Sequence, residues 1–193
     1  ASPATDCPVA AVRSPQQTAE NFSVNACAPV SEPDASPWTY VTTVQARDLC
    51  ARAGKRLLIP ELWHEAALGT PIEAQDCHVE MDTVQSTGTA PDCRSGVGAY
   101  DMVGNVWELV DAEVVDGMVA GQPIPPEGYV ESVAKNGLAR TTTSTPQVIY
   151  GDDYFWSEPT GTYAIMRGGF YGSEADAGIY ATHAAITSNF SSG

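Results

Sequence analysis

The sequence predicts an α+β domain with two short helices, short antiparallel strands and long loops. Three observations carry this. Only two segments repeat apolar residues at helical spacing. After Gly69 the chain is dense in Gly, Pro, Asp, Ser and Thr, with short apolar pieces between them, which favours turns and short strands. The 193 residues are 43% hydrophobic, enough to bury one core, so one domain over 1–193 is expected, irregular across 1–20.

The elements follow in order. Pro, Ala, Ser and Thr dominate from Ser2 to Ser36, and Asn21–Cys27 alternates with the two-residue period of an edge strand. Thr42 with Gln45 three residues on forms a capping signal, and Ala46, Leu49, Cys50 and Ala53 then recur on one helix face until Gly54. Pro60 opens a second helix, where its missing N–H costs nothing; Leu62, Trp63, Ala66 and Ala67 follow, and Gly69 stops it. Ile124–Gly128 and Asn136-Gly137 are turn signals, and Thr141–Thr145 is an edge strand or a loop. Tyr150–Trp156 reads as a packed aromatic and acidic loop, with a ligand rim as the other reading.

A net charge of −15 repels phosphate backbones and anionic membrane surfaces, so no nucleic-acid partner is expected. No apolar run reaches about 18 residues, so no membrane insertion is expected. The five cysteines lack the paired spacing of a structural zinc site. Cys77 and Cys93 flank a Thr/Ser/Gly-rich loop whose closure would remove entropy from the unfolded chain, and Cys27–Cys50 is a second expected pair that leaves Cys7 over. Free thiols are the other reading for both pairs.

Three segments carry a resemblance. They are Ala46–Leu57 continuing to Pro60–Ala67; Gly98-Ala99-Tyr100-Asp101-Met102-Val103-Gly104-Asn105-Val106-Trp107-Glu108-Leu109; and Met166-Arg167-Gly168-Gly169-Phe170-Tyr171. In this order they resemble the formylglycine-generating-enzyme family, which implies a C-type-lectin-like fold. The resemblance also implies a structural Ca²⁺ at Asp101, Gly104, Val106 and Glu108, an all-oxygen set of the kind calcium prefers, with Trp107 as a buried anchor. Turn caps paired with Arg or Lys are the alternative for Asp101 and Glu108. The family's other calcium site is not matched, because His78 stands where it has Asn.

Catalysis in that family needs two cysteines after Arg-Gly-Gly. Ser173 and Gly178 stand about there, and no cysteine follows Cys93, so neither copper nor iron is expected and the chain reads as not an enzyme. The runner-up is a relative that is catalytically silent or an oxidoreductase using non-cysteine residues. His64, His78 and His183 are too far apart in sequence to read as the histidine cluster of the family's iron-dependent branch.

Ala164–Gly169 and Ala177–Ala181 resemble a third branch, the variable proteins of diversity-generating retroelements, including viral ones. In those proteins the C-terminal segment, here 164–193, is a hypervariable binding face. Diversification of AAY codons yields Phe, Tyr, Ser, Gly, Asp, Ala, His, Thr, Ile or Asn. From Phe170 to Gly193 every residue except Glu174 belongs to that set. Aromatics among small polar residues also make up antibody-like contact surfaces. The expected contacts are Phe170, Tyr171, Ser173, Asp176, Tyr180, Thr182, His183, Ala185, Ile186, Asn189 and Phe190, with half-buried aromatics and a frayed tail as the bland alternative. The implied partner is a protein or glycan receptor on a cell surface, met outside the cell, on a cell surface or on a virion surface.

Overall fold

Pro15 at the first helical position, and a Ser14 hydroxyl that accepts from the Gln17 N–H at 3.3 Å, start a helix that the apolar pattern conceals, α1 (Pro15–Phe22). The computed structural model describes residues 6–71 and 76–187. Residues 6–14 form no helix or strand, as expected of the lead-in, but α1 occupies its end from Pro15 and displaces the strand expected at Asn21–Cys27. Asn21 is buried, and its amide exchanges hydrogen bonds with Val9 N–H and C=O at 2.8 and 2.7 Å, so local capping and a side-chain clip outweigh alternation.

The two expected helices are present. In α2 (Thr43–Arg52) the Thr42–Gln45 capping box is complete, with Ala46 and Leu49 turned inward. Helix α3 (Pro60–Ala67) begins at Pro60 and buries Trp63 and Ala67. Both lie on the first strand, where Arg47 of α2 pairs with Asp111.

The second half is far richer in strands than its composition suggests. It comprises β1 (Glu108–Val115), β2 (Met118–Val119), β3 (Gln122–Pro123), β4 (Gly128–Val133), β5 (Ala139–Thr143), β6 (Tyr154–Ser157), β7 (Thr162–Arg167) and β8 (Thr182–Ala184). They form one sheet in the order β3-β2-β1-β7-β8-β6-β4-β5. Every pairing is antiparallel except β6 with β8. The threonine run is therefore the edge strand β5, and the Asn136-Gly137 turn leads into it, with Asn136 Oδ1 accepting the Leu138 N–H at 3.1 Å. One sheet face, carrying Val110, Val114, Phe155 and Ile165, packs into the core with Trp63.

The long stretch between β7 and β8 is fixed by two charged groups. Arg167 is fully buried beneath the Trp63 ring, 4.8 Å from its centroid. It donates to the carbonyls of Ile179 (2.7 Å), Gly137 (3.0 Å) and Ala181 (3.3 Å). From the other side Asp153 Oδ2 accepts the Tyr180 and Ala181 N–H groups at 2.6 and 3.1 Å. Burial raises the Asp153 carboxyl above the usual carboxylate range, opposed by these hydrogen bonds and by the Arg167 charge. Gly168 and Gly169, at φ +90° and +87°, make the turn that lets the chain leave Arg167.

The same segment is latched outward. Tyr171 N–H donates to Asn105 C=O, Tyr171 C=O accepts from Met81, and Glu174 N–H donates to Val79 C=O. The loop holding Val79 and Met81 is closed by the Cys77–Cys93 disulfide. The second expected pair is corrected: Cys27 joins Cys7, their Cα atoms 4.5 Å apart, and Cys50 on α2 is a free thiol. Helix α1 turns the chain so that Cys27 meets the N-terminal segment, while Cys50 faces a cavity instead.

A Cβ at Gly178 would lie 1.9 Å from Asp153 Oδ1. Gly178→Ala should therefore displace the carboxylate from its two N–H partners and lower the melting temperature by roughly 10 °C, about 3 kcal/mol at this size. Calorimetry checks this, and an unchanged melting temperature would show that the clamp is not what holds the segment.

Candidate ligand-binding face

Strand β6 separates core from surface residue by residue. Phe155 is buried, so Tyr154 and Trp156 emerge on the opposite face. Cross-strand register extends that face in both directions, since Tyr129 of β4 pairs with Tyr154 and His183 of β8 pairs with Trp156. The rings meet in sequence: Tyr129 to Tyr154 at 5.0 Å, Tyr154 to Trp156 at 4.8 Å, and Trp156 stacked on His183 at 5.8 Å and 17°. Trp107 sits edge-on to both Trp156 and His183, at 5.5 and 5.6 Å, and continues to Phe170 and then Tyr171. Every ring in this row is half-buried, so each keeps solvent-facing surface.

Such contacts contribute about 0.5–1.5 kcal/mol per pair beyond burial, which holds the rings in place before any ligand arrives. His183 donates little charge to the face. Burial among the rings lowers its pKa to about 4, so the imidazole is neutral at physiological pH.

The structure sorts the expected contacts. Phe170, Tyr171 and His183 lie in the aromatic row, Asp176 is half-exposed beside it, and Ala185 is half-exposed after β8. Ser173 and Thr182 are buried and are not surface contacts. The Ser173 hydroxyl accepts the Phe170 N–H at 3.0 Å, and Thr182 Oγ1 donates to Tyr180 C=O at 3.0 Å, so both serve the main chain. Tyr180 packs between His64 and Tyr150 at the margin of the core, away from the row. Ile186 lines a cavity of about 340 Å³ that adjoins the row through Trp107 and is also walled by Trp38, Leu49 and Trp63. Asn189 and Phe190 lie outside the described residues.

Sequence reasoning missed Tyr129 and the exposure of Trp107, and it placed Tyr154 and Trp156 in a stretch read first as a packed loop, with a ligand rim as the other reading. Trp107 is no buried anchor: it is half-buried, and Trp63 fills the core instead. The Tyr150–Trp156 stretch is not simply a packed loop, because its second half is β6 and shows two rings on the outer face. Tyr-Phe-Trp with the middle residue inward was the available signal, hidden because all three residues are aromatic.

Among the described residues no three His, Cys, Asp or Glu side chains converge on one point, while the expected calcium set draws on only two carboxylates, Asp101 and Glu108, together with backbone oxygen. Asp101 Oδ2 accepts the Gly88 N–H at 2.7 Å, and Glu108 Oε2 accepts the Trp63 indole N–H at 2.6 Å. Each carboxylate thus has a donor of its own. Burial raises both, Glu108 to about 7, and the donor chemistry suits a hard cation, but the two carboxylates are directed to different partners.

Three solved structures resemble the chain. They are the P3c, M1 and U1 variants of the Major Tropism Determinant, at 16%, 19% and 17% identity with TM-scores of 0.48, 0.46 and 0.47. The similarity covers 80%, 77% and 86% of this chain but 35%, 34% and 40% of those proteins, so the chain spans about a third to two fifths of their length. No protein-family profile and no curated protein matches the sequence.

The His183 environment has a measurable consequence. A depressed folded pKa means that its contribution to stability is present above the unfolded value near 6.5 and is lost as pH falls toward 4, where only the unfolded chain readily takes the proton. His183→Gln should lose less stability than the parent across that window in paired thermal melts. Equal losses would place the ring in water rather than among Trp107 and Trp156.

Proposed function

We propose that the chain is a ligand- or receptor-binding protein displaying a diversified C-terminal surface on a C-type-lectin-like scaffold, as the variable proteins of diversity-generating retroelements do, and that it is not an enzyme. The observation that carries this is the continuous row of half-buried rings from Tyr129 to Tyr171. Part of the row belongs to scaffold strands, and part to the segment whose residue types fit adenine-directed diversification. Rigid aromatics give contact area at small entropic cost, and here they are fixed by a core on the other side of the sheet.

The segment divides along its length as such a function requires. Gly178, Ala181 and Thr182 face inward and hold the backbone, whereas Phe170, Tyr171, His183 and Ala185 keep side-chain surface in solvent. The partner in this reading is a receptor outside the cell, met from a cell or virion surface. No helix among the described residues is long and apolar enough to cross a membrane. The proposal uses no metal.

Sequencing sibling genomic copies tests the reading. Substitutions at adenine-derived codons should concentrate at Phe170, Tyr171, His183 and Ala185, beside a near-identical template repeat, and should spare Gly178, Ala181 and Thr182. Substitutions spread evenly over buried and exposed positions, or an absent template, would contradict it.

A further inference from the structure

The aromatic row has an acidic border. Tyr154 donates its hydroxyl to Glu127 Oε1 at 3.2 Å, and its phenol is raised first by burial, then by the Glu127 charge and, more weakly, by the nearby Asp176. Asp176 is itself raised, first by partial burial and then by the neighbouring Glu174 and Asp152. Glu127 and Glu174 are exposed and Asp176 is half-exposed, so this charge borders the rings at the surface.

Among the described residues, none of Glu127, Glu174 and Asp176 is in an ion pair. From Thr141 onward the only Lys or Arg is Arg167, which is fully buried and committed to main-chain carbonyls. The two ion pairs among the described residues, Arg47–Asp111 and Arg52–Asp48, belong to α2. Asp152 Oδ1 is buried with no hydrogen-bond partner among the described residues. These carboxylates also do not converge as a metal site would require. Glu127 and Asp176 both act on Tyr154, and Glu174 and Asp152 act on Asp176, so the charge gathers at the Tyr154 end of the row, a layout that suits cationic side chains.

We infer that the face receives a basic segment of a partner protein, with Arg or Lys side chains laid on Tyr154 and Trp156 and their charge met by Glu127, Glu174 and Asp176. This rests on the reading that the aromatic row is a binding face. A cation over Tyr or Trp is attracted by the ring quadrupole, and a flanking carboxylate adds to that attraction where water is partly excluded. Neutral sugars would also stack on the rings but would leave the border uncompensated. An acidic partner would be repelled by it.

Fluorescence anisotropy with labelled tetra-arginine, tetra-lysine and tetra-glutamate peptides tests this on the full chain. The basic peptides should bind and tetra-glutamate should not, with affinity falling at least about fivefold from roughly 50 to 300 mM salt. Trp156→Ala and the double variant Glu174→Gln/Asp176→Asn should each weaken tetra-arginine at least about fivefold while keeping the parent's circular dichroism. Glu61→Gln/Glu65→Gln on α3, which removes the same charge elsewhere, should not. Equal weakening by the α3 variant, indifference to Trp156→Ala, or preference for neutral oligosaccharides over the basic peptides would overturn the inference. If tetra-arginine fails while an isolated receptor still requires Trp156, the basic-segment inference falls and the binding reading stands.

Discussion

The structure depends on a buried guanidinium set against a buried carboxylate. Arg167 and Asp153 are both inaccessible to water, and between them they satisfy the main-chain groups of Ile179, Tyr180 and Ala181. Removing either side chain would leave buried main-chain N–H or C=O groups without partners, at about 1–3 kcal/mol each. The sheet needs this clamp because β8 is only three residues long and reaches its place between β6 and β7 through an irregular crossing. Ladder hydrogen bonds alone would hold it weakly.

This constraint divides labour along the C-terminal segment. The backbone is fixed through its own N–H and C=O groups, which every residue type supplies, so the side chains facing out carry little of the burden of folding. Gly178, where an added Cβ would meet Asp153, and Thr182, buried beneath the sheet, leave no room for a different side chain. On the opposite surface Tyr154, Trp156 and Trp107 form a floor against which Phe170 and His183 rest, with Tyr171 set against Phe170. A face made this way is both preorganised and replaceable, two properties a recognition surface needs together.

Much of this was legible in the sequence where the signal was local. The Thr42–Gln45 box, Pro60 and the loop between Cys77 and Cys93 each depend on near neighbours, and the structure has a helix, a helix and a disulfide there. What escaped depends on distant pairing. Cys27 could not be assigned to Cys7 without knowing that α1 turns the chain back, and the inward Ser173 and Thr182 look the same in sequence as outward small polar residues. The aromatic row is the clearest case: its members come from five parts of the chain, brought together by β-register at Tyr129, Tyr154, Trp156 and His183 and by loop geometry at Trp107, Phe170 and Tyr171. The two helices were within reach because periodicity and caps encode them, and the fold was implied by the resemblance of three segments, whereas the map of the surface required knowing which strand lies beside which.

The separation of a clamped backbone from a free surface is tested most directly by two displayed libraries sorted for resistance to protease. One randomises Phe170, Tyr171, His183 and Ala185; the other randomises Gly178, Ala181 and Thr182. The account predicts that most members of the first library stay folded and few of the second do. Comparable survival in both, or collapse of the first, would contradict it.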